Sequence, residues 1–202
     1  DVFVATGDEE IFEEVTKEGG KCILTEKDHQ TGTDRIFEAY QKLNIKNIDY
    51  IINLQGDEPM IDIEDIKNLN SNTIKNKSEI ATLACKIKDK NILNKSNIVK
   101  VITDEKISKE NMSRANTFLR EVSFNYNANI YHHVGIYIYK VSTLEKFVNL
   151  KQSKNETEQR LEQLRAIDNE IEINVILANS SPIGVDTKED FLELKKIMNY
   201  KN

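Results

Sequence analysis

At 202 residues, 39% of them apolar, the chain has room for one well-buried domain spanning 1–202 and no sign of a second core. Its formal net charge of −6 comes from interspersed lysines and acids, with no basic stripe to track a phosphate backbone, so no nucleic-acid partner is expected. No apolar run reaches the roughly 20 residues a membrane span needs, and no signal peptide is visible, so no membrane role and a cytoplasmic location are expected.

Asp1-Val2-Phe3-Val4-Ala5-Thr6 enters directly as an apolar strand with no initiator Met, as a piece of a longer chain would. Asp8 then caps a helix whose Ile11, Phe12 and Val15 are expected to face inward, and Gly19-Gly20 ends it. Cys22-Ile23-Leu24 reads as a short strand. Cys22 and Cys85 lie far apart without metal-ligand spacing, and suit small core positions in a reducing compartment. Thr33 or Asp34 caps the next helix, where Ile36, Phe37, Tyr40 and Leu43 form one apolar stripe. A strand through Tyr50-Ile51-Ile52-Asn53-Leu54 follows, then a helix capped by Asp62 with Ile63, Ile66 and Leu69 inward, then a buried strand over Ile80–Cys85.

Ile98–Ile102 and Val134–Tyr139 alternate as antiparallel strands do, and the weakly periodic stretch 103–133 between them predicts an excursion or dimer arm, with Phe118, Phe124 and Tyr126 as exposed apolar contacts. Leu161, Leu164 and Ile167 predict a helix from about Glu156. Ile173–Leu177 is a strand, and Thr187 opens a last helix with Phe191, Leu194 and Ile197 on its core face. Strands alternating with helices imply βαβ units in an α/β fold around a mixed, mainly parallel sheet.

The richest stretch for chemistry is Gln55-Gly56-Asp57-Glu58-Pro59, an acidic turn at a strand's carboxyl end, where open α/β sheets bind ligands. Asp186, in Gly184-Val185-Asp186-Thr187, also lies where a strand gives way to a helix. Two such carboxylates could clamp Mg²⁺, a hard cation that shares oxygen ligands with phosphates. Each alone suits an acidic turn or a helix cap equally well. Asp28-His29-Gln30-Thr31-Gly32-Thr33-Asp34-Arg35 presents hydroxyls, a glycine and a helix N-terminus together, which favours anions or polar ligand edges. Arg114 offers a fork for a carboxylate, His133 a donor for a hydroxyl, and Glu162-Gln163 a polar pair beside a leucine face.

Taken in order, Asp28–Arg35, Gln55-Gly56-Asp57-Glu58-Pro59-Met60, Ala81-Thr82-Leu83-Ala84, Val99-Lys100-Val101, Ser113-Arg114-Ala115, His133-Val134-Gly135-Ile136-Tyr137, Leu161-Glu162-Gln163-Leu164-Arg165 and Gly184-Val185-Asp186-Thr187 resemble the 3-deoxy-manno-octulosonate cytidylyltransferases over nearly the whole chain. The resemblance implies a three-layer nucleotidyltransferase fold, like that of nucleotide-diphospho-sugar transferases, and a homodimer. It implies a reaction of CTP with the eight-carbon sugar acid KDO, giving CMP-KDO and pyrophosphate for lipopolysaccharide assembly, with Mg²⁺ as cofactor. By matching position, Asp57 and Asp186 are the implied catalytic metal ligands. Gln55, Arg114, His133, Glu162 and Gln163 would surround the sugar acid, and Thr31, Gly32, Thr33 and Arg35 the nucleotide.

Two departures from the family pattern stand out. The family's opening strand and its basic, glycine-containing triphosphate loop have no counterpart in these residues, and Asn116-Thr117-Phe118-Leu119 replaces the usual Thr-Ile-Pro-Trp. The competing expectations are a cytidylyltransferase for an 8-amino analogue of the same sugar, and a non-catalytic binding domain.

Overall fold

Short apolar runs separated by capped helices can bury themselves only by layering, and the chain does so in three layers. The computed structural model describes residues 1–122, 129–179, 184–185 and 187–198. In chain order these give β1 (Val4–Thr6), α1 (Glu9–Lys17), β2 (Cys22–Leu24), α2 (Gly32–Leu43), β3 (Tyr50–Leu54), α3 (Ile63–Asn76), β4 (Ile80–Cys85), β5 (Lys100–Thr103), β6 (Ser113–Leu119), β7 (Asn129–Lys140), α4 (Val141–Val148), α5 (Lys154–Gln159), α6 (Leu164–Asp168), β8 (Ile173–Leu177) and α7 (Lys188–Ile197), with a 3₁₀ turn at Lys90–Asn94. No helix among the described residues is long and apolar enough to cross a membrane.

β1 and β2 pair in parallel by themselves, while the larger sheet has the order β3-β7-β4-β8-β6-β5. β3, β4, β5 and β8 run one way and β6 and β7 the other, so the sheet is mixed. Because β6 and β7 are interposed, β4–β8 is the sole parallel ladder among the described residues of that sheet. β7 is the organiser. Its first half pairs with β5 and its second with β3, with β4 alongside both, and a bulge interrupts the β4 ladder between Val134 and Tyr137. One face of the sheet packs Ala81, Leu83, Ile136 and Ile138 on Leu69 of α3; the other packs Tyr137, Tyr139 and Val175 against Leu144, Phe147 and Leu164.

Several expectations change here. The stretch 103–133 is no excursion in its described part, for β6 is a strand of the main sheet and Phe118, expected to be exposed, is fully buried. Residues Phe124 and Tyr126 lie outside the described residues. The helix expected from Glu156 breaks into α5 and α6 at Arg160, which adopts a left-handed φ of 53°. Arg120 holds that corner, donating from Nε to Gln159 O at 2.8 Å and from Nη2 to Arg160 O at 2.9 Å. The cap of α2 is Thr31 rather than Thr33 or Asp34, and Ile11, Ile63, Phe191 and Ile197 are exposed where core positions were expected. Beside Arg120, the buried Lys100 ammonium has the carbonyls of Ile92, Lys95, Ile98 and Arg120 within hydrogen-bond reach of its three N–H groups, which sews the 90–98 loop to the sheet. Burial lowers its pKa from the usual lysine value.

Candidate active site

The β7 bulge builds the floor. Thr82 Oγ1 donates to Ile136 O at 2.6 Å, which uses the hydroxyl's one hydrogen, so the 3.0 Å contact with His133 is a donation from Nε2–H. Burial, then the neighbouring His132, hold the His133 pKa down to about 3, so this imidazole is neutral. Its ring stands edge-on to Phe118 at 5.2 Å and 5.3 Å from Tyr137, beginning an aromatic file that runs through Tyr139 to Phe147. His133 is thus part of the floor, with its Nε2 committed to Thr82.

This gives a pH signature. The unfolded histidine titrates near 6.5 and the folded one near 3, so below pH 6.5 only the unfolded chain takes up the proton and stability is lost as pH falls toward 3. His133→Gln keeps a donor without titrating. It is expected to flatten the acid-side slope of melting temperature by about one proton relative to the parent protein; equal slopes would dismiss the buried neutral imidazole.

Above the floor, the turn after β3 crosses β7. Gly135 lets the two approach closely, since a Cβ at that position would stand 3.0 Å from Gln55 Oε1 and 3.4 Å from Glu58 Oε1 and would push both side-chain ends back. Its N–H donates to Glu58 Oε1 at 3.3 Å. Asp57 stands exposed at the tip of the turn, and no hydrogen bond or ion pair holds its carboxylate among the described residues. Its backbone carbonyl accepts from Val185 N at 2.8 Å, which docks Gly184-Val185 on the turn. Asp186 lies outside the described residues. Exposed carboxylate oxygens at a strand end fit a hard divalent cation.

The roof comes from α2 and the α5–α6 corner. Thr31 caps α2, and Thr33 is buried with its hydroxyl 3.5 Å from Tyr139 OH. Glu162 sits in the turn entering α6; burial raises its pKa against the opposing pull of Thr33 and Thr31. Three buried polar atoms in this part of the fold have no hydrogen-bond partner among the described residues: Asn53 Nδ2, Tyr137 OH and Glu162 Oε1. Unpaired buried polar atoms are uncommon and costly, and a cluster of them calls for completion by ordered water or by a ligand.

The structure therefore brings Gln55, His133, Glu162, Gln163 and the Thr31–Thr33 turn to one end of the sheet. It does not bring Arg114 there. Arg114 pairs in register with Asn174, Asn174 with Ala81 and Ala81 with Ile138, which places it on the α3 face, opposite Tyr137. There it lines an open hollow of about 390 Å³ with Glu105, Glu172 and Asn76. The Arg35 guanidinium is committed to the 25–27 loop, with Thr25 Oγ1 at 2.6 Å, Glu26 O at 2.8 Å and Lys27 O at 3.1 Å. Sequence reasoning passed over Asn53 and Tyr137. The signal available for Asn53 was a carboxamide within the otherwise apolar run Ile51-Ile52-Asn53-Leu54.

Residues 1–173 match the family model described as Cytidylyltransferase. The 3-deoxy-manno-octulosonate cytidylyltransferases of Thermodesulfovibrio yellowstonii and Bartonella henselae are 42% and 38% identical, each over 98% of this chain and 82% and 81% of their own lengths. The chain belongs to this family. A solved structure of CMP:2-keto-3-deoxy-manno-octonic acid synthetase complexed with CTP superposes with a TM-score of 0.87 at 32% identity, over 98% of this chain and 80% of that one. The inositol-1-phosphate CTP transferase of T. maritima, at 16% identity and a TM-score of 0.61, shares the fold. This chain presents a sheet end with the acidic turn on one side and the unpaired polar cluster on the other.

Proposed function

We infer that the protein transfers the cytidylyl group of CTP to the sugar acid KDO, giving CMP-KDO and pyrophosphate. What carries the reading, beyond family membership, is the cluster of unpaired buried atoms: a donor on Asn53, a donor and acceptor on Tyr137 and an acceptor on Glu162 suit a ligand rich in hydroxyls. Gln55 and the turn at Gly135 border that space, and the capped start of α2 supplies hydroxyls and backbone amides beside it. The sugar hydroxyl attacks the α-phosphorus and pyrophosphate leaves, so the chain's work is alignment and the exclusion of water. Asp57 and Asp186 would hold Mg²⁺, which when bound supplies positive charge to the phosphate oxygens. The reading includes a cytoplasmic setting and a homodimer; what supports the dimer is the family resemblance, since Phe118 is interior.

The test is pyrophosphate release from CTP by protein expressed from its complete reading frame, with KDO and its 8-amino analogue in parallel. Release that depends on KDO is the expected result. Release with the analogue alone would reassign the sugar, and release with neither would overturn the reading.

A further inference from the structure

The established family explains why a sugar site exists but not why an asparagine interrupts the apolar strand β3. Asn53 is 5% exposed, and its Nδ2 has no partner among the described residues. Its neighbours Ile52 and Leu54 are 41% and 47% exposed and point to the other face, so Asn53 alone of the three turns inward. In register it stands directly across from Tyr137, whose hydroxyl is also unpaired, and side chains in such cross-strand positions lie about 5 Å apart at Cβ. Glu162 closes the group from the α5–α6 corner; burial raises the pKa of both Tyr137 and Tyr139, and the nearby Glu162 charge adds to it. A buried amide donor left unpaired is destabilising, and an apolar side chain at this position would avoid that cost. Its presence is accounted for if a ligand completes it.

We propose that Asn53 is a sugar-reading residue, its carboxamide donating to a hydroxyl of the bound sugar acid that also meets Tyr137 and Glu162. A hydroxyl is donor and acceptor at once, which matches the mixed set around it; a bare carboxylate would be repelled by Glu162 when that group is ionised. The inference rests on the cytidylyltransferase reading and adds the residue that reads the sugar.

Asn53→Leu, which keeps the branching and removes the amide, tests it in the protein expressed from its complete reading frame. The KM for KDO is expected to rise roughly tenfold or more, as loss of one good hydrogen bond requires, while the KM for CTP stays within about twofold. The melting temperature without ligand should hold or rise, because the substitution removes an orphaned donor. A KM for KDO within about twofold of the parent protein, or equal rises for both substrates, overturns the assignment. If Asn53→Leu does not fold, Asn53→Ser is judged by the same two KM values. Parent protein that turns over no KDO would overturn the function itself, and normal parent with an unaffected variant overturns only Asn53.

Discussion

Asp57→Asn is expected to lower kcat roughly hundredfold or more while leaving the melting temperature within about 2 °C of the parent protein. The two halves of that expectation come from the same observation. The carboxylate stands exposed beyond β3 with no partner among the described residues, so the folded chain gains nothing from it. Contrast Asp65, 3% exposed, whose two oxygens each accept from Asn179 N at 2.9 Å and whose loss would be structural. Asp186→Asn is expected to behave like Asp57→Asn, on the strength of the family pattern. Both are read by CTP-dependent pyrophosphate release across a Mg²⁺ titration, with melting curves on the same samples. Near-normal turnover at low Mg²⁺ would remove that carboxylate from the metal site, and collapse of Asp186→Asn would return it to helix capping.

The largest effect on stability is expected at Glu156. Its carboxylate takes Arg165 Nε at 2.9 Å and Nη2 at 2.5 Å, with the two side chains 4% and 3% exposed, and Glu156 also completes the capping box with Ser153. Glu156→Ala strands a buried guanidinium, at a cost of about 3–5 kcal/mol. In a chain of this length that is a drop in melting temperature of roughly 10 °C. Replacing both partners with methionine should recover much of it, because no buried charge is then left unpaired, although the Ser153 N–H loses its acceptor. A single-variant loss under about 1 kcal/mol would show that the pair is not buried in solution. Since the pair ties α5 to α6 on either side of Glu162, the single variant should also raise the KM for the sugar acid.

How much of this was legible beforehand varied with the kind of interaction involved. The caps Asp8, Asp62 and Thr187 are local chemistry, and all three side chains accept the backbone amides their positions promise. The acidic turn at 55–59 was legible because a strand ending in Gly-Asp-Glu-Pro is itself a local signal. β6 was not, since its inward positions Ser113 and Ala115 are too small to produce a hydropathy alternation even though their burial alternates. The break at Arg160 was hidden because Arg120, 40 residues earlier, grips the carbonyl that a continuous helix would have used. Arg114 misled for a different reason. Motif order is one-dimensional, and neighbouring residues of a strand face opposite sides of the sheet, so correct spacing does not choose between two faces.

The aromatic file from Phe118 through His133, Tyr137 and Tyr139 to Phe147 passes under the whole candidate site. The chain has seven tyrosines and no tryptophan, so no indole dominates its near-ultraviolet absorption and emission. Two of those phenols, Tyr137 and Tyr139, are buried in the site and lie within reach of the Glu162 charge. A ligand that hydrogen-bonds the Tyr137 hydroxyl alters a chromophore in the site itself. On the proposed reading, sugar occupancy would therefore be readable by difference absorbance and near-ultraviolet circular dichroism, without a label and before any turnover.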